Sequence, residues 1–184
     1  MLFVLVVFVT LNLVGGRAAA DGDEAEIWLQ VDTESQVLRV MQGQKILRTY
    51  EDIAIGRGGP TRDKRHLDGK TPLGEFHISR INNDSHFHRF FGFDYPRLDH
   101  AERALKKGYL DAEDYLAIRQ AIRAGRVPPQ NTPLGGHLGI HGIGAGDPEM
   151  HRDFNWTNGC IALTNREIDE LAQWLALGVR VVVY

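Results

Sequence analysis

Apolar and polar positions alternate through much of residues 26–55. In EIWLQVD, Ile27, Leu29 and Val31 share one side, and a period of two predicts a half-buried strand. QVLRVMQGQKILRTYEDIAIG continues the alternation and predicts a hairpin that turns at Gln42-Gly43, with Gly56 ending its second strand. A glycine-rich, charged loop follows in GRGGPTRDKRHLDGKTPLG. GEFHISRI then predicts another strand, with Phe76, Ile78 and Arg80 on alternate positions.

The period changes after residue 97. DHAERALKKG predicts a short helix stopped by Gly108. DAEDYLAIRQAIRAG predicts a second one, capped by Asp111, with Tyr115, Ile118 and Ile122 along one face and Gly125 and Pro128-Pro129 ending it. Residues 97–130 therefore read as a helical insertion in a β domain. GGHLGIHG and CIAL return to strand. TNREIDELAQWLALG is the clearest helix: Thr164 and Glu167 are spaced as a capping box, Ile168, Leu171, Ala172 and Leu175 follow at helical spacing, and Gly178 closes it. VRVVVY is apolar enough for a strand in a sheet interior.

The first residues follow another pattern. Leu2 to Val14 is an apolar run broken only by Thr10 and Asn12, and Ala18-Ala19-Ala20 precedes Asp21. An apolar stretch before small residues is the pattern of a secretory signal, so residues 1–20 are expected to be cleaved after Ala20 and residues 21–184 to form the domain. No Lys or Arg precedes the run, which makes a retained anchor the alternative. The expected location is the periplasm or cell envelope. The remaining composition is ordinary for one globular domain, with 43% hydrophobic and 24% charged residues in 184. A net charge of -3 and the lack of a long basic run argue against a nucleic-acid binder.

Export sharpens the reading of Cys160, the only cysteine. It has no partner for an internal disulfide, although exported proteins usually pair their cysteines. Two readings are open: a small buried hydrophobe, or a nucleophile. Gly159 permits an unusual turn before it, and such junctions expose backbone N–H groups able to hold an oxyanion. A nucleophilic thiol needs a base, usually histidine. Among His66, His77, His86, His88, His100, His137, His141 and His151, His141 stands at a strand-to-loop exit, and His137 precedes it on the same side of a straight strand. Each of the eight is otherwise an ordinary surface or hydrogen-bonded histidine.

Together these residues resemble a known family. IHG at 140–142, then 15 residues between His141 and Thr157, then TNGCIALTN, is similar to the signature of the L,D-transpeptidase catalytic domain of YkuD type. KTPLGEFHI and the opening hairpin match its upstream strands, so the resemblance covers nearly all of residues 26–184 except the insertion. It implies a mainly β, sandwich-like domain with a long cleft, a helical insertion and a C-terminal helix and strand. It implies that Cys160 attacks the carbonyl at the L-centre of diaminopimelate in a peptidoglycan tetrapeptide stem, releasing D-Ala and forming a thioester. A neighbouring stem's amine then takes the acyl group. His141 would be the base, the Gly142 carbonyl its orienting partner, and the N–H groups of Gly159 and Cys160 the oxyanion hole. No metal or cofactor is implied, and the partners are donor and acceptor stems met by a monomer.

Two positions depart from the family pattern. Asn158 stands where His is frequent, and Ala162 where Arg is frequent. Asn158 keeps hydrogen-bonding capacity without titrating. Thr157 and Asn158 are candidate substrate contacts, and Arg152, Arg166 or a residue of the 57–70 loop would supply the missing charge. The outcome of the acyl-enzyme stays open: water in place of the amine would make the protein an L,D-carboxypeptidase or an amidase. The insertion reads as a lid or acceptor wall, or as a packed cap. HFHRFFGFDYP lines the cleft or joins the core. A zinc peptidase using His86, His88, His137 and His141 with Asp94 or Asp147, and a binding module without catalysis, are the rival classes.

Overall fold

A computed structural model describes residues 26–184; the expected signal segment lies outside the described residues. The N-terminal hairpin forms from β1 (Ile27–Asp32), β2 (Val37–Gln42) and β3 (Lys45–Tyr50). Two short strands, β4 (Pro60–Thr61) and β5 (Thr71–Pro72), close the charged loop by pairing in parallel. The long β6 (Gly74–Ser85) turns into β7 (His88–Phe93). Helices α1 (Leu98–Lys106) and α2 (Ala112–Arg123) make the insertion. After them come β8 (Gly139–His141), α3 (Pro148–Asp153), β9 (Ile161–Ala162), α4 (Asn165–Ala172) and β10 (Arg180–Val183).

Eight of these strands hydrogen-bond in the order β3-β2-β1-β10-β6-β7-β8-β9. The 12-residue β6 belongs to both halves, pairing with β10 through Gly74–His77 and with β7 from Ile78 onward. The strand expected for VRVVVY is inside the sheet, parallel to β1 and antiparallel to β6. Alternate residues of successive strands form one core: Leu29, Val31, Leu38, Val40, Phe76, Ile78, Phe91, Phe93, Ile140, Ile161, Val181 and Val183. Burying each such side chain stabilises by about 1.5–3 kcal/mol. Helix α4 adds Ile168 and Leu171 from its apolar face, and its first turn is held by the Thr164–Glu167 capping box.

The insertion packs as a cap. Ala101, Ala104, Leu110 and Ile118 join the core, and the Asp111 side chain accepts from the Asp114 N–H at the start of α2. The insertion also grips the charged loop. Arg103 donates to the Arg62 carbonyl at 3.1 Å, Lys107 pairs with Asp63 at 2.5 Å, and the Arg65 guanidinium stands 5.0 Å over the Tyr109 ring. Neither α1 nor α2 lines the main cleft.

Three local expectations differ from the structure. The second strand of the hairpin ends at Tyr50, because residues 53–57 cross to the far edge and pair instead with Ala162 and Thr157. Strand β7 and helix α3 have no counterpart in the sequence reading. The aromatic run divides by face: Phe91 and Phe93 are core, while Phe87 and Phe90 look into the cleft.

Candidate active site

Strands β8 and β9 are short and parallel, with Ile140 opposite Ile161 and His141 opposite Ala162. Both isoleucines point into the core. Alternation then turns His141, and Cys160 one position before Ile161, to the other face. On the other side of β8, Phe90 of β7 is paired with His141. This face opens into a cleft of about 520 Å³. Cys160, His141, Thr157 and Asn158 line it, with Lys64, His66 and Leu67 from the charged loop on one wall and Phe87, Phe90 and Trp156 on the other.

His141 is buried and its imidazole is packed among rings. Phe87 stacks on it at 4.3 Å between centroids, and Trp156 meets it at 5.8 Å at a steep angle. Its Nδ1 lies 2.7 Å from the Gly142 carbonyl oxygen. A carbonyl only accepts, so Nδ1 carries the proton and Nε2 of the neutral ring is left as an acceptor. The carbonyl is itself fixed. The Gly142 N–H donates to the Arg89 carbonyl at 3.2 Å, and the Asn165 side chain brackets Gly144 through bonds of 2.8 and 2.7 Å. Burial holds the His141 pKa below the ordinary imidazole value, against the opposing pull of the Gly142 carbonyl.

Cys160 hangs from a turn that only glycine fits. Gly159 is buried with φ of +130°, and a Cβ there would collide with the Lys70 carbonyl oxygen. Thr157 closes the turn: its hydroxyl donates to the Cys160 carbonyl at 2.6 Å and accepts from the Gly159 N–H at 3.1 Å. The Gly159 N–H, expected to serve an oxyanion hole, is thus engaged by the Thr157 hydroxyl. The half-buried Cys160 thiol contacts the His137 carbonyl oxygen at 3.6 Å. Burial pushes the thiol up to about 11, opposed by the Gly139 N–H and the Lys64 charge.

The two departures from the family pattern have structural counterparts. Ala162 is 0% exposed and is bridged edge to edge with Ala54, with which it exchanges backbone hydrogen bonds of 3.0 and 2.8 Å. An arginine side chain has no room there. Asn158 Oδ1 instead accepts from the Arg57 guanidinium, so a cation of the charged loop reaches the turn before the thiol. Arg152 and Arg166 stand elsewhere: Arg152 pairs with Asp153, and Arg166 pairs with Glu170 from a side chain that is 87% exposed. Neither lines the cleft.

The sequence offered Lys64 and Phe87 only as members of the 57–70 loop and the aromatic run, His151 only as one of eight histidines, and Trp156 not at all. His151 is buried and accepts from the Trp156 indole N–H at 3.3 Å, which sets the ring that contacts His141. No periodic signal marks these residues: Lys64, Phe87 and Trp156 come from loops and turns, and His151 from the six-residue α3. Among the described residues no group of three His, Cys, Asp or Glu side chains converges to hold a metal. His88, one of the candidate zinc ligands, pairs with Asp169 at 2.9 Å.

Comparison with known proteins gives consistent results. The family model of the L,D-transpeptidase catalytic domain, YkuD, matches residues 26–183. Comparison with curated proteins gives no match. Among solved structures, the helical cell shape determining protein Pgp2 from Campylobacter jejuni shares 23% identity over 88% of this chain and 48% of its own, with a TM-score of 0.55. Bd1075 from Bdellovibrio bacteriovorus shares 17% identity over 88% of this chain and 48% of its own, with a TM-score of 0.56. The chain spans about half the length of these neighbours. At these identities the likeness is one of fold.

Proposed function

The chain belongs to the L,D-transpeptidase catalytic domain family, and we propose that it is a cysteine-dependent acyltransferase acting on peptidoglycan stem peptides. The observation that carries this reading is the shared cleft of Cys160 and His141, with His141 Nδ1 held by the Gly142 carbonyl at 2.7 Å.

That arrangement supports an acyl transfer through the thiol. The sulfur attacks the peptide carbonyl at the L-centre of diaminopimelate while Nε2 of His141 takes the thiol proton. The imidazolium formed is stabilised through Nδ1–H by the Gly142 carbonyl, as a carboxylate does in serine-protease triads. The developing oxyanion turns toward the Cys160 N–H. Collapse expels the D-Ala amine, which receives the proton from His141, and leaves a thioester on Cys160. An amine of a neighbouring stem then attacks the thioester, gives its proton to His141 and restores the thiol.

The cleft's two walls suit such a substrate. Arg57, reaching Asn158 at the cleft, offers positive charge to the carboxylates of a stem, and Phe87, Phe90 and Trp156 offer apolar surface to its aliphatic parts. The reading carries an exported location in the periplasm or cell envelope. The description of Pgp2 as determining helical cell shape supports a role in cell shape.

The test is incubation of the protein with disaccharide-tetrapeptide, followed by product analysis and intact-protein mass spectrometry. Cross-linked dimers and a transient thioester on Cys160 are expected, with both lost in Cys160→Ala. Tripeptide without dimers would change the assignment to an L,D-carboxypeptidase. A Cys160→Ala variant that keeps full turnover would sink the thiol mechanism.

A further inference from the structure

We propose that Lys64 is a positioning residue of this site: its buried ammonium fixes the peptide leading into Cys160 and keeps a positive charge beside the sulfur. The inference rests on Cys160 acting as a thiol nucleophile.

Lys64 is 4% exposed, which is rare for a lysine and calls for a partner. Its three N–H donors meet three acceptors: Asp68 Oδ1 at 2.5 Å, the Arg65 carbonyl at 3.0 Å and the Asn158 carbonyl at 3.4 Å. Two of these lie within the charged loop. The third lies 94 residues away, on the peptide between Asn158 and Gly159. The carboxylate of Asp68 is held in turn by the N–H groups of Arg65 at 2.7 Å and Lys70 at 2.9 Å. Asp68 is therefore a rigid socket for the ammonium, within a loop that is anchored to the insertion through Arg62 and Asp63.

The same loop is pressed against the turn. A Cβ on Gly159 would be 3.2 Å from Lys64 Cε and would collide with the Lys70 carbonyl. This close fit leaves the 158–159 peptide little freedom to rotate. Because Cys160 follows directly, the direction of its N–H and of its sulfur is set partly from the loop. The lysine charge is also one of the influences that lower the thiol pKa against its burial. Shielded from water, the charge is screened little by salt. The other titratable groups around the sulfur are His141 and His137 beside it, His66 on the loop wall, Asp68 beneath Lys64, and Arg57 at Asn158, with His151 behind Trp156. Lys64 is the buried cation among them.

The experiment reads the thiol without substrate, so its result is independent of turnover. Alkylation of Cys160 by iodoacetamide is followed by intact mass across pH in wild type, Lys64→Met, Lys64→Arg and Lys64→Met/Asp68→Asn, each checked for folding by circular dichroism. Lys64→Met is expected to raise the inflection by about one pH unit, which is about tenfold slower alkylation at a fixed pH below it. Lys64→Arg is expected to restore most of the shift. The double variant leaves no unpaired carboxylate and is read in its place should Lys64→Met fail to fold. A methionine variant whose profile superimposes on wild type would overturn the proposal. A shifted profile in a protein that forms no muropeptide products would keep the role of Lys64 and remove the transpeptidase reading.

Discussion

Strands β1 and β2 pair over six consecutive positions, from Ile27 with Gln42 to Asp32 with Val37, whereas β8 and β9 pair over two. The first pair is a regular ladder, with Leu29, Val31, Leu38 and Val40 alternating into the core. The second carries His141, has Cys160 directly before it, and is braced by bonds outside any ladder. These are the Thr157 hydroxyl, the Asn165 bracket on Gly144 and the Lys64 ammonium on Asn158. The difference has a chemical reason. A ladder uses every backbone donor and acceptor for pairing. A site that must offer N–H groups and carbonyls to a reacting centre has to interrupt it. Gly159, with φ of +130° and no room for a Cβ, is one such interruption.

The sharpest test of that contrast separates chemistry from stability. His141→Gln removes the base while retaining a hydrogen-bonding side chain. We expect kcat for stem-peptide transfer to fall by about 10²–10⁴-fold with the fold intact by circular dichroism. Retained turnover would mean that another group takes the thiol proton. At the opposite end, Leu29→Ala opens a cavity in the regular half. Unfolding in urea should show a loss of about 2–5 kcal/mol, with Cys160 alkylation by iodoacetamide unchanged in the folded protein. An altered alkylation rate would show that the two halves of the sheet are mechanically coupled.

Acidification gives a smaller effect that also distinguishes the halves. Burial depresses the pKa values of His141 and His151. In the unfolded chain both take protons near about 6.5. Below that pH and above the folded values the unfolded state binds more protons, so stability rises with pH there. The neutral histidines therefore cost nothing above about 6.5, and stability declines as pH falls through that value. Hydrogen exchange should quicken first at β8 and the 151–160 segment, with β1 and β2 protected until lower pH. The same protonation removes the base, so the acid limb of kcat/KM is expected below the ordinary imidazole value. Uniform exchange across both halves would show that the sheet opens as one unit.

The sequence was most informative where neighbours along the chain decide the outcome. Period-two alternation marks β1 and β2. The Asp111 cap marks α2, and the Thr164–Glu167 box marks α4; both caps form as spaced. Motif spacing also pointed to Cys160 and His141, and the fold sets both on one cleft. Strand β7 escaped notice because its apolar run is continuous: Phe90 serves the cleft while Phe91 and Phe93 serve the core, with a register shift in the partnering β6. Arg152 and Arg166 were plausible charges near the motif in sequence, yet their side chains end in ion pairs away from the cleft.

What the sequence alone determined was therefore local: the strand period, the helix caps, and the spacing of a thiol and an imidazole around a short parallel pair. Only the tertiary structure decided which charge stands by the sulfur. Arg57 meets Asn158 from 101 residues away, and Lys64 meets it from 94. Ala162 is bridged to Ala54 from 108 residues earlier and is wholly buried. No local pattern reports such meetings, because a lysine's choice between solvent and a buried socket depends on where chain closure brings a distant carbonyl and carboxylate.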